Sequence, residues 1–214
     1  MSMERDISRE SVTATINSSG EILQHSNLTV CEHTNKEDCE DYISQNYYLA
    51  NVLNTADVFI ADIDISKDSP IAQLKSKWYY IYWLLHNIKD LTKEVFYVYE
   101  THSGLRLIMV TSLMSPKSSD SAYLMGVLLA DSKYASCCIS QGCYRARLSP
   151  KPIRMGIKGK DYSDYEKYKT EVSKYSVCRY LGNTSLSESF NIPTKIQNFL
   201  DIHDKFTLGE GPLA

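Results

Sequence analysis

The chain has 214 residues, 43% of them hydrophobic and 23% charged, with a net charge of −3. That length allows one sizeable core or at most two small ones, and the composition is ordinary for a globular chain. The longest apolar runs, Trp78 to Leu85 and Tyr123 to Ala130, are too short to span a bilayer. The charged start, Met1 to Asp6, has no apolar secretory segment, so the expected location is the cytoplasm, with no membrane partner.

The net charge hides an uneven distribution. Residues 1–68 carry thirteen acids and four bases, whereas residues 132–160 carry seven bases and no acid. Such an arrangement suits a site with a metal on one side and phosphate on the other, and equally a scattered solvated surface. One domain over residues 1–214 is the simplest organisation, because no internal repeat or low-complexity linker interrupts it.

Residues 1–10 form a polar tail. Ser11–Ile16 and Glu21–Leu23, either side of Asn17-Ser-Ser-Gly20, predict a hairpin. Cys31, His33 and Cys39 offer three zinc ligands without an evident fourth, so ordinary free thiols are the competing reading. A polar, acidic loop then leads into a short helix expected near Tyr42 to Leu53.

Asp57 to Ile65 is an apolar run broken by acids at alternate positions. As a strand, its period of two puts Asp62 and Asp64 on one face and Ile63 and Ile65 on the other. Two neighbouring carboxylates repel and cost desolvation unless a cation or hydrogen-bond donors hold them. A divalent metal is one reason to tolerate that cost; a strand ending in solvated acids is the other.

Ser69 and Pro70 then supply an N-cap and a first helical residue. Ile71, Leu74, Trp78, Ile81, Leu85 and Ile88 recur at helical steps, which predicts a core-facing stripe, with base stacking as the alternative use of its aromatics. Val95–Thr101 and Leu105–Thr111 flank His102-Ser-Gly104 and predict a second hairpin, with Arg106 in need of a partner on an otherwise apolar strand. Asp120–Ala130 is a predicted helix ending near Asp131.

Tyr144–Leu148 alternates as a strand, so Arg145 and Arg147 share a face. Ser149-Pro-Lys-Pro152 must leave the sheet, because proline cannot donate to the ladder. Two arginines running into a lysine-bearing turn suit a triphosphate cradle; an edge strand with solvated charges is the plainer possibility. Tyr162, Tyr165 and Tyr168 have the spacing of the buried side of a helix. Asn191–Phe206 predicts a closing helix with Ile196, Phe199, Ile202 and Phe206 inward.

Taken in order, Asp62-Ile-Asp64, then Thr101-His-Ser-Gly-Leu-Arg-Leu107, then Ala130-Asp131 ahead of the basic stretch resembles the catalytic core of archaeo-eukaryotic primases and related primase-polymerases. The likeness covers about residues 57–155. It departs from the family pattern in placing Arg106 where a histidine is usual.

The resemblance implies an α/β (α+β) fold, a mixed sheet flanked by helices. It further implies a metal-dependent nucleotidyltransferase in which Asp62, Asp64 and Asp131 hold Mg or Mn. Ser103, Arg106, Arg145, Arg147 and Lys151 would contact the phosphates of a nucleoside triphosphate, with DNA or RNA as partner and room for a protein subunit. A non-catalytic nucleotide- or nucleic-acid-binding module on that scaffold, or a metal-dependent phosphodiesterase or nuclease, are the alternatives. No G-x-x-x-x-G-K-[ST], H-E-x-x-H or G-x-S-x-G supports another enzyme class.

Overall fold

The structure is a computed structural model. It describes residues 11–16, 22–29, 41–46, 50–65, 76–158, 162–185 and 189–214, the first two segments as backbone. The tail at 1–10, the loop with Cys31, His33 and Cys39, and the helix start at Ser69 and Pro70 lie outside these residues.

Two antiparallel sheets carry the chain. One has five strands in the order β2-β1-β3-β4-β8, where β1 is Ser11–Ile16, β2 Ile22–Thr29, β3 Tyr42–Gln45, β4 Asn51–Thr55 and β8 Tyr144–Arg147. The other has four in the order β5-β7-β6-β9, with β5 Ile60–Asp64, β6 Phe96–Thr101, β7 Gly104–Met109 and β9 Cys178–Asn183. Every named strand pair is antiparallel, where the resemblance implies a mixed sheet; among the described residues parallel pairing is limited to the bridges Ser176–Leu213 and Cys178–Leu208.

Helices α1 (Lys77–Leu91), α2 (Ser119–Val127), α3 (Ser132–Gln141), α4 (Tyr162–Glu171) and α5 (Thr194–Thr207) complete an α+β architecture. Among the described residues no helix is long and apolar enough to cross a membrane.

The helix expected near Tyr42 to Leu53 is instead the hairpin β3–β4. Asn46 closes its turn, since its side-chain oxygen accepts from Ala50 N at 3.1 Å while its own N–H donates to Ala50 O at 3.0 Å. Cross-strand pairing of Ile43 with Leu53, both buried, overrides the local helix signal. Strand β9 and helix α3 are also absent from the sequence-based expectation.

The face of α1 differs from the predicted stripe as well. Tyr80, Leu84 and Ile88 are buried, whereas Trp78 is 67% exposed, Tyr82 61% and Leu85 41%. Apolar residues fill positions 78–85 almost without a break, so periodicity alone leaves the helix's rotation undetermined. Two polar anchors settle it: Lys77 pairs with Glu100 at 3.1 Å, and Tyr80 Oη donates to the Leu128 carbonyl at 2.6 Å. On α5, Ile196, Phe199 and Ile202 face inward as expected, and Phe206 does not.

The four-stranded sheet is covered on both sides. Register places Asp62, Arg106, Tyr99 and Tyr180 in one row across β5, β7, β6 and β9. Tyr99 meets His203 of α5 edge-to-face, with ring centroids 4.8 Å apart. Glu100, partner of Lys77, points from the opposite face, so α1 and α5 pack on opposite sides. Strand β7 is buried along its whole length.

Candidate phosphate-binding recess

Asp62 and Arg106 are direct cross-strand partners, and their side chains meet bidentately. Arg106 Nε donates to Asp62 Oδ1 at 2.8 Å and Nη2 donates to Oδ2 at 3.3 Å. Arg106 is 1% exposed. Burial is the largest influence and opposes its charge, but the Asp62 carboxylate, with smaller contributions from Cys178 and Tyr134, holds its pKa above the ordinary arginine value. Its Nη1 also donates to the Arg147 carbonyl at 3.3 Å, tying the four-stranded sheet to edge strand β8 of the other.

Gly104 stands opposite Asp64 in the register, and only glycine fits there. A Cβ at this position would lie 1.9 Å from the Ile63 carbonyl oxygen. The close approach lets the Thr101–Gly104 turn fold over the end of β5, where Ser103 O accepts from Ile65 N at 3.0 Å. Asp64 Oδ1 is buried, with no hydrogen-bond partner among the described residues.

The basic side of the recess comes from β8 and the turn after it. Ser149 Oγ accepts from Asn51 N at 2.8 Å and from Tyr168 Oη at 2.7 Å, which anchors the Ser-Pro-Lys-Pro segment against β4 and α4. The segment enters a 3-10 turn at Pro152–Met155, and Arg154 Nη2 donates to Ser103 Oγ at 2.6 Å.

Arg147, Lys151 and Arg154 feel one another and the acids Asp62 and Asp64 electrostatically. Burial, then the Arg106 charge, brings the Arg147 pKa down to about 10, so it stays cationic at neutral pH. Burial followed by Arg147 and Arg154 lowers that of Lys151, and burial lowers that of Arg154 despite the nearby acids. Arg147 Nε and Nη1 are buried without a hydrogen-bond partner among the described residues.

The predicted site residues divide as follows. Asp62, Asp64, Ser103, Arg106, Arg147 and Lys151 come together. Asp131 lies beside them through its backbone, its N–H donating to Asp62 O at 2.8 Å, but its carboxylate caps α3 by accepting from Tyr134 N at 2.7 Å. Arg145 shares a face with Arg147 and gives its Nη1 to Gln141 Oε1 at 3.0 Å.

Three participants escaped the sequence reading. Arg154 had a signal, as the last base of the Pro-Lys-Pro-Ile-Arg run. Tyr168 lay on the predicted tyrosine stripe, and its hydroxyl contact could not be foreseen. His203 had none, being a lone histidine on a helix face between apolar residues.

A divalent cation needs several oxygen ligands. Asp64 offers one buried oxygen; Asp62 gives both of its oxygens to Arg106, and Asp131 spends one on the α3 cap. Among the described residues no group of three His, Cys, Asp or Glu side chains converges as a ligand set. The donors thus fit a metal only in part, through Asp64 with Asp62 beside it. Compared with family models, curated proteins and solved structures, the chain matches none.

Proposed function

We propose that the recess binds the phosphates of a nucleotide or of a nucleic-acid strand. The observation that carries this reading is the uncompensated charge. Among the described residues, the acids that bear on Arg106, Arg147, Lys151 and Arg154 are Asp62 and Asp64, and Arg147 buries two guanidinium nitrogens without a partner there. A buried donor without an acceptor costs about 1–3 kcal/mol, a cost a phosphate oxygen would remove. Arginine forks match phosphate geometry, and Ser103 adds a hydroxyl donor at the rim.

Nucleotidyl transfer is the second reading, favoured by the unpartnered Asp64 oxygen beside Asp62 and by the primase-polymerase resemblance. Asp64, joined by Asp62, would hold Mg or Mn, and such an ion supplies charge neutralisation at the phosphates and activation of an attacking hydroxyl. Arg147, Lys151 and Arg154 would then orient the triphosphate and stabilise charge developing on it.

One titration separates the readings. A labelled single-stranded oligonucleotide and a labelled nucleoside triphosphate are titrated with chelator, and then with Mg or Mn, while strand length is followed on gels. Salt-sensitive binding that persists in chelator supports phosphate recognition without chemistry. Metal-dependent lengthening that Asp64→Asn abolishes supports transfer. Shortened strands point to cleavage, and binding of neither probe overturns both readings. Asp64→Asn is the informative variant because Asp62 also holds Arg106.

A further inference from the structure

His203 is fully buried on α5 and touches Arg106, its Nε2 lying 3.2 Å from Arg106 Nη1. A guanidinium carries only donors. Nε2 must therefore present its lone pair, and the ring proton must sit on Nδ1, where Asp204 Oδ1 accepts at 2.8 Å. Burial, reinforced by the Arg106 charge, lowers the His203 pKa against the opposing pull of Asp204, in keeping with a neutral ring. The ring is also walled in by Tyr99 edge-to-face and by Phe199 stacked at 6.3 Å between centroids.

With that contact the Arg106 fork is committed on every nitrogen. Nε and Nη2 hold Asp62, while Nη1 serves the Arg147 carbonyl and His203. We propose that His203 is a positioning residue: held by Asp204 as the Nδ1–H tautomer, it accepts from Arg106 and fixes the plane in which Arg106 grips both Asp62 and the backbone of Arg147. A relay of contacts, Asp204 to His203 to Arg106 to Asp62, thereby couples α5 to β5. Its bearing on ligand binding rests on the phosphate reading above; its bearing on Arg106 does not.

The test uses the full chain in two arms. In ligand-free protein near neutral pH, long-range nitrogen–proton NMR of the His203 ring should show a proton on Nδ1 and none on Nε2. The Arg106 Nε–H signal should exchange slowly with water. His203→Gln, whose carbonyl can accept in place of Nε2, should keep that protection, and His203→Leu should speed exchange at least tenfold. Should the leucine variant not fold, Asp204→Ala at the partly exposed end of the relay takes its place, and faster Arg106 Nε–H exchange is expected there as the ring loses its anchor.

In the second arm, oligonucleotide affinity should stay within about threefold of wild type for His203→Gln and fall at least tenfold for His203→Leu. An Nε2–H tautomer, an imidazolium, or unchanged Arg106 exchange in His203→Leu or in Asp204→Ala overturns the proposal. Failure of wild type to bind either the oligonucleotide or the nucleoside triphosphate overturns the phosphate reading alone, because the NMR arm decides the role of His203 without ligand.

Discussion

Arg106 and Arg147 sit side by side at the meeting of the two sheets, yet they stand in opposite electrostatic states. Arg106 is enclosed and satisfied: a carboxylate, a carbonyl and an imidazole accept from it, and its charge is held firmly. Arg147 is half-buried, with two nitrogens lacking acceptors among the described residues and a pKa drawn down by burial and like charge. The contrast separates an arginine that ties the two sheets together from one whose donors meet no acceptor among the described residues, the feature on which the proposed phosphate binding rests.

The comparison is broken most severely at Arg106. Arg106→Leu strips Asp62, the Arg147 carbonyl and His203 of their donor together, and removing one partner of a buried ion pair typically costs 3–5 kcal/mol. Because Asp62 is 30% exposed, the lower end applies, and about 3 kcal/mol is expected from urea unfolding. Pairing it with Asp62→Leu should recover part of the loss. A loss below about 1 kcal/mol in the single variant would contradict the structural role assigned to this arginine.

Arg147→Met sharpens the same contrast from the other side. Folding stability should change by less than about 1 kcal/mol, or rise, since an unpaired buried charge is removed. Oligonucleotide affinity should fall by roughly tenfold to a hundredfold, the scale of one or two hydrogen bonds to a charged group. The salt dependence of binding should become shallower. A stability loss matching that of Arg106→Leu would make both arginines structural.

The smallest expected effect is on pH. His203 is buried neutral, so its folded pKa lies below the unfolded value of 6.5. Between those two values the unfolded chain binds the extra proton, and stability must fall as pH drops below about 6.5, levelling off beneath the folded pKa. The slope approaches ~1.4 kcal/mol per pH unit from this group, read as the difference between wild-type and His203→Gln profiles in denaturant. Parallel profiles would show that the ring does not change its protonation on folding.

Much of this recess was legible in the linear chain where chemistry repeats at short range. Alternation in Ile-Ala-Asp-Ile-Asp put Asp62 and Asp64 on one face, and alternation in Tyr-Arg-Ala-Arg did the same for Arg145 and Arg147. The need of Arg106 for a partner, an acid or a phosphate, followed from the cost of burying a lone guanidinium, and the fold supplies Asp62. Helix α3 was missed although Asp131 caps it and Gly142 follows it with φ of 70°, because its apolar pattern is weak. The rotation of α1 was not legible, because unbroken aromatics carry no phase.

What the amino-acid order determined by itself was therefore local: which residues share a strand face, where proline ends a ladder, and where charges of each sign accumulate. Tertiary structure alone decided that Arg106 would claim both oxygens of Asp62, that Asp131 would turn its carboxylate to a helix end, and that a histidine 97 residues away would complete the set. The physical reason is range. Backbone periodicity acts over a few residues, whereas the partner of a buried charge is chosen by whichever donor or acceptor the packed elements bring within about 3 Å.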